Sequence, residues 1–376
     1  MQIDVMTLNN RMNNPVALAG EELAVFPSSY GDARKQLLTL SQRCGLFDSM
    51  LSLPLEGGRG TEDECLSTEV IWLGPKTASR VVVLISATHG VEGFVGTAVQ
   101  TDLLARLVKA CQLPQDMAVL LVFALNPYGF AHCRRCDEAG IDLNRNFVDF
   151  EQPLPENTGY EKLREAIYCE DAEQLHRLFE AFRQQQGQCA FEIAVSGGQY
   201  VDPHGPFYGG VAPAHGHRVI EQLIEHYQLA QRRLAVVDVH SGLGPYGYGE
   251  VINDHPLQSR GFKVANRWYG ASVAAPALGT SSSVSKLGLL DYHWHTLMQD
   301  HGCFVTLEFG TYPTQDLFDV VLDDHRAWKS GDQQSIKKSA DAMKNHFYPQ
   351  DVYWRELVLV KGRQVVQQAM DGLQHD

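Results

Sequence analysis

No apolar run in this chain approaches the roughly 20 residues that a membrane-spanning helix needs. The longest, Val81–Ala87 and Met117–Leu125, have the length of buried strands. A basic excess is missing too: 31 lysines and arginines stand against 45 aspartates and glutamates, a formal net charge of −14. Nucleic acid and anionic membranes recruit basic surfaces, so neither is expected as a partner. The first residues, MQIDVMTLNNRMNNP, lack the charged segment and apolar stretch of a secretory signal. The expectation is a cytoplasmic protein whose eight cysteines are reduced thiols. No Ser/Gly/Pro linker, fixed-period repeat or low-complexity tract interrupts the chain. One elaborated domain over residues 1–376 is therefore expected, since 44% hydrophobic residues can fill a large core. There is no G-x-S-x-G for a serine nucleophile. No second C-x-x-C accompanies Cys133–Cys136, so that pair reads as incidental thiols.

What is present is an alternation. β-Branched apolar runs at Glu69–Leu73, Arg80–Ala87, Met117–Leu125, Leu234–Val239 and Gly302–Phe309 read as buried strands. Between them lie stretches of helical period: Phe94–Val108, Gly159–Gln185, His217–Leu229, Gln258–Tyr269 and Leu287–Gln299. This order predicts an α/β fold, a three-layer α/β/α sandwich with a central mixed, mostly parallel twisted sheet. Gly57, Gly58 and Gly60, with the acidic Glu62–Glu64, read as an exposed turn. Gly244–Gly249 and Ser196–Gly210 read as loops, the second shaping a pocket. The segment 314–376 reads as helical and packed on the core, with Trp328, Phe347, Tyr353 and Trp354 buried.

Chemistry gathers where the strands stop. VVVLISAT runs into His89, Gly90, Val91 and Glu92; MAVLLVFAL ends in Asn126; LAVVDV ends in His240; CFVTL ends in Glu308. Ligands of open parallel sheets bind outside the carboxyl ends of strands, so these residues are expected on one rim. A histidine and a glutamate three apart, with Gly90 allowing a sharp turn, can converge on a cation that suits zinc. His240 supplies the third protein ligand that a catalytic zinc typically takes. In RRCDEAGIDLNRNF, Asn144 and Arg145 suit a substrate carboxylate, and an arginine nearer the metal suits an oxyanion. His215 and His217 have helix-start composition and are expected to face solvent; His293 and His295, near Asp291 and His301, read as helix-surface histidines rather than a second metal site.

HGVE (His89–Glu92), NPYG (Asn126–Gly129), RCDEAGIDLNRNF (Arg135–Phe147), DVHSG (Asp238–Gly242) and LEFGT (Leu307–Thr311) occur in the order found in a known family. Over residues 70–312 the chain resembles the zinc carboxypeptidase superfamily of carboxypeptidase A type, with its aspartoacylase and succinylglutamate desuccinylase relatives. Within it, the whole chain looks most similar to a bacterial branch known as a domain of unknown function. The resemblance implies one Zn²⁺ per chain on His89, Glu92 and His240. It implies Asp142 behind the first zinc histidine, Arg135 at the oxyanion with Arg134 as the neighbouring alternative, and Glu308 as general base. Asn144 and Arg145 match the pair that grips a substrate carboxylate. The implied partner is a small peptide or N-acyl amino acid with a free carboxylate. The implied activity is that of a metallo-carboxypeptidase or amidase, with an N-acyl amino acid deacylase as the alternative and a non-catalytic binding protein as a more distant one. Peptidases of this type place a tyrosine before the last catalytic strand; Tyr292 lies in that interval but in DYHWH, which reads as helix, and is assigned no role.

Overall fold

The computed structural model describes Leu18 and residues 20–43, 45, 49–110, 113–169, 171–298 and 301–376. The opening segment read above, and Gln299 at the end of one expected helix, lie outside the described residues. Strands β1 (Met50–Arg59), β2 (Cys65–Leu73), β3 (Arg80–Ser86), β4 (Met117–Phe123), β5 (Arg233–Gly242), β6 (Gly249–Ile252) and β7 (Gly302–Gly310) form one sheet in the order β1-β2-β4-β3-β5-β7-β6. The central four, β4-β3-β5-β7, are parallel; β1, β2 and β6 join antiparallel at the edges. The sheet is mixed and mostly parallel at its centre, as the alternation of elements predicts.

The central strands carry apolar residues on both faces because helices cover both. Val82 and Leu84 of β3 join the side chains beneath helices Gly93–Ala110 and Val352–His375, while Val81, Val83 and Ile85 meet helices His215–His226 and Leu290–Met298. The same alternation runs through β4, β5 and β7, where Phe304 stands on the second face and Val305 on the first. Past these rows the second face turns polar: Asp238 and His240 continue the line of Leu234 and Val236, and Thr306 and Glu308 continue that of Phe304.

Some expectations need correction. Gly57 and Gly58 do not form a free turn; they lie in β1, whose pairing with β2 shifts register between Pro54 and Arg59. Gly57 takes φ +71°, the extra-residue geometry of a β-bulge. Short β6, masked by the glycines before it, was also not anticipated. The stretch 159–185 is two helices, Thr158–Ile167 and Ala172–Gln186, because Asp171 caps a new start by accepting from the Glu173 and Gln174 amides. The C-terminal segment is helical: Thr314–Ser330, Gln333–Phe347 and Val352–His375. Phe347 and Trp354 are fully buried, the latter's indole N–H donating to the Gly310 carbonyl, but Tyr353 is 48% exposed and Trp328 only half-buried.

Candidate metal centre and active site

After β3 the chain reverses through Ala87, held at φ +60°, in the left-handed region that costs a non-glycine residue about 1 kcal/mol or more. His89 then stands at the N-cap of a short 3₁₀ turn, Gly90–Glu92. That turn brings the His89 and Glu92 side chains back together, with Nδ1 of His89 2.9 Å from Glu92 Oε1. Gly90 is required for a reason different from the expected sharp turn. A Cβ there would lie 2.1 Å from the Gly129 carbonyl carbon, and the Gly90 and Val91 amides donate to the Arg135 and Arg134 carbonyls. This close approach lays the arginine segment against the histidine turn.

β5 and β7 run side by side with His240 opposite Glu308. His240 Nδ1 lies 2.8 Å from Glu92 Oε2 and 3.1 Å from His89 Nδ1. Both imidazoles thus aim Nδ1 at one point beside the Glu92 carboxylate. Their far nitrogens are held from behind, His240 Nε2 by Asp238 at 2.7 Å and His89 Nε2 by Asp142 at 3.2 Å. On His240 a proton on Nε2 satisfies Asp238 and leaves the Nδ1 lone pair for a cation, the tautomer that metal-binding histidines take. All three ligands are at most 5% exposed. Among the described residues, His89, Glu92 and His240 are the one group of three or more His, Cys, Asp or Glu whose ligand atoms lie within 4.8 Å of one another. The donor set of two neutral imidazoles and a carboxylate fits a divalent ion with a position left open.

The electrostatics point the same way. Burial alone raises Glu92, but the adjacent His89 and His240 charges override it and hold the carboxyl well below its usual range. Burial lowers His240, but Asp238 and Glu92 hold it well above its ordinary value. The buried cluster favours positive charge, which a metal ion can supply. Glu308, pushed up to about 7 by burial and then by the Glu92 charge, accepts from the Leu243 amide at 2.9 Å through one oxygen. Its second oxygen has no partner among the described residues.

Of the two adjacent arginines, Arg135 faces the cavity and Arg134 does not. Arg135 donates through Nε to Asp142 at 2.8 Å, its terminal nitrogens reach His89 Nε2 and Glu92, and its cationic face stands 5.2 Å from the Phe207 ring. His89 Nε2 lies 2.6 Å from the donor-only Arg135 guanidinium and 3.2 Å from Asp142, so it either accepts from the first or donates to the second, not both. Arg134 turns away to a buried ion pair with Asp324 at 2.9 Å and lies 4.2 Å above Trp328.

Asp142 also caps the turn Leu143–Arg145 by accepting from the Asn144 amide. Asn144 and Arg145 line the same cavity as the three candidate ligands. Asn144 accepts from the Leu290 amide at 2.8 Å, leaving its amide N–H groups to donate. Arg145 is fully buried, its guanidinium held by the Ser196 and Asn144 carbonyls and facing Phe207 at 5.7 Å. The loop Ser196–Gly210 therefore shapes the pocket through Ser196 and Phe207. Asn126 is absent from this rim: it caps helix Pro127–Ala131 and donates to the Arg135 carbonyl.

Several cavity residues escape a reading of motifs. Asp238 is two positions before His240, hence on the same strand face, a signal that alternation alone supplies; Thr88 donates to it at 2.9 Å. Asp254, Lys286 and Asp291 also line the cavity, but nothing in their local sequence marks them. Tyr292 lies in helix Leu290–Met298 and donates to the Lys286 carbonyl at 3.2 Å. His217 is not solvent-facing: it is 4% exposed and stacks on Phe147 at 4.5 Å. Nor is His295 on the surface, since it stacks on His255 at 3.7 Å.

The sequence profile of the family described as "Protein of unknown function (DUF2817)" matches residues 26–361. The chain belongs to this family. No curated protein matches the sequence. Among solved structures, this DUF2817 member is similar to carboxypeptidase A from Helicoverpa armigera: 17% identity, 85% of this chain and 74% of that one covered, TM-score 0.44. It is also similar to a metallo-carboxypeptidase from Burkholderia cenocepacia, at 15% identity, 89% and 70% coverage and TM-score 0.39. An aspartoacylase family protein from Mesorhizobium loti matches at 13% identity, with 70% and 61% coverage and TM-score 0.37.

Proposed function

We propose that this DUF2817 protein is a zinc-dependent hydrolase that holds one Zn²⁺ on His89, Glu92 and His240. Its reaction is cleavage of an amide or peptide bond next to a carboxylate of a small peptide. The observation that carries this reading is the pair of imidazoles turned Nδ1-inward by Asp142 and Asp238, with Glu308 beside them. A bound divalent ion supplies Lewis acidity and a more acidic water there. Glu308 takes a proton from the attacking water and passes it to the leaving nitrogen. Arg135 donates to the oxygen on which negative charge develops, held in place by Asp142 so that no reorganisation is needed. Asn144 and the remaining N–H groups of Arg145 receive the substrate carboxylate. Burial of Arg145 strengthens that recognition, because few waters compete for its donors.

Metal analysis of the purified protein, beside an assay of C-terminal residue release, tests the reading. About one zinc per chain is expected, lost in His240→Ala together with activity. Release that survives complete metal removal overturns it. Hydrolysis confined to N-acyl amino acids keeps the metal centre and replaces the peptide substrate with an acylated one.

A further inference from the structure

The same cavity has chemistry that the proposed reaction does not use. Asp254 follows β6 and Asp291 sits in the first turn of helix Leu290–Met298; both line the cavity together with His89, Arg145 and Glu308. Ile252, Leu289, Phe304 and Thr306 add neutral surface to the same lining. Asp291 is 5% exposed, and its Oδ1 is buried with no hydrogen-bond partner. Asp254 makes no side-chain hydrogen bond or ion pair among the described residues. Buried carboxylates are ordinarily paired, so an orphaned one beside a cavity calls for a partner that arrives from outside.

Lys286 is the cation nearest to hand, and it does not fill this role. Its ammonium donates to the Ser283 hydroxyl and the Val284 carbonyl, and it forms no ion pair within 4.0 Å. Burial, and next the Arg145 charge, push it down to about 7, so it is a weak counter-charge near neutral pH. Burial, and next the charge of Asp254, hold Asp291 well above the usual carboxylate range. With no counter-charge at its bare oxygen, Asp291 is held toward the neutral carboxyl, and a cation arriving from outside favours its charged form.

We propose that Asp254 and Asp291 form a specificity pocket that takes a cationic side chain of the substrate, an ammonium or guanidinium group. The substrate class is then a peptide or acylated residue whose terminal carboxylate meets Asn144 and Arg145 while its basic side chain reaches the two aspartates. A guanidinium brings planar paired donors, and an ammonium a compact charge; either satisfies the orphaned oxygen. This assignment rests on the hydrolase reading for its substrate, but the pocket can be tested without turnover.

The test is calorimetric binding of free arginine, lysine, citrulline, norleucine and glutamate to metal-loaded Glu308→Gln protein, repeated in the Asp254→Asn and Asp291→Asn backgrounds. Arginine and lysine are expected to bind at least about 10-fold more tightly than citrulline and norleucine, the discrimination typical of a charge-assisted hydrogen bond. Each Asn variant is expected to erase that preference with metal content unchanged. Equal binding of citrulline or norleucine, tighter binding of glutamate, or a preference that persists in both variants overturns the pocket. If a variant fails to fold, the arginine–citrulline comparison in the parent protein still decides. Loss of all hydrolysis with the binding preference intact refutes the proposed reaction and leaves the pocket standing.

Discussion

At the ends of β3 and β5 the polar groups of the metal centre are partnered: Asp142 holds His89 and Arg135, Asp238 holds His240 and accepts from Thr88, and Ser241's amide reaches Glu92. In the same cavity, Asp254 makes no side-chain hydrogen bond or ion pair among the described residues, and Asp291 has a bare buried oxygen. The two regions share burial but differ in satisfaction. Groups that must hold a fixed geometry are braced from behind, because a metal ligand free to rotate loses affinity. Groups that meet a ligand are left open, because a carboxylate already satisfied has no donor left to attract. A buried carboxyl without a partner lowers the stability of the free protein, and that deficit is recovered when a ligand supplies one.

The largest effect that separates the regions is expected from Glu308→Gln. It removes a proton acceptor without removing a ligand, so kcat falls by about 10²–10⁴-fold while zinc content, read by metal analysis, stays at one per chain. Next comes a direct contrast of aspartates. Asp238→Asn breaks the 2.7 Å brace on His240 and is expected to weaken zinc binding about 10–100-fold in a competition titration. Asp291→Asn removes a buried carboxyl whose Oδ1 lacks a partner, leaves zinc affinity unchanged and raises the unfolding midpoint by on the order of 2 °C. Destabilisation by Asp291→Asn would erase the distinction between braced and open groups.

The smallest effect concerns pH. Glu308 is raised from 4.5 to about 7 and works as a base only when deprotonated, so kcat/KM is expected to fall as the pH drops through an acid limb. A cation beside Glu92 opposes the Glu92 charge that helps raise Glu308, so the limb lies between 4.5 and about 7. By linkage, the raised value favours folding most below 4.5, and this contribution is lost as the pH climbs to about 7. An acid limb unchanged in the residual activity of Glu308→Gln assigns it to another group.

Much of the scaffold was legible along the chain. Apolar, β-branched runs gave the central strands, since burial on both faces leaves little room for polar residues, and the polar residues then stood out at the strand ends. Edge strands were harder. β1 contains a bulge with glycines, and β6 has only four residues, so neither carries a clean two-residue period. The family resemblance favoured Arg135, but residue type alone could not separate two adjacent arginines; Asp324 and Trp328, 190 or more positions on, draw Arg134 away.

By itself the sequence determined the alternating α/β order and placed His89, Glu92, His240 and Glu308 at or just past the carboxyl ends of strands, because strand period and strand ends are local properties. Only tertiary structure set the direction of each imidazole nitrogen, pressed Gly90 against Gly129 and brought Asp254 and Asp291 into the lining of the metal cavity. Those outcomes depend on which distant backbone approaches which, and on which buried charge finds a partner, and no local pattern encodes either.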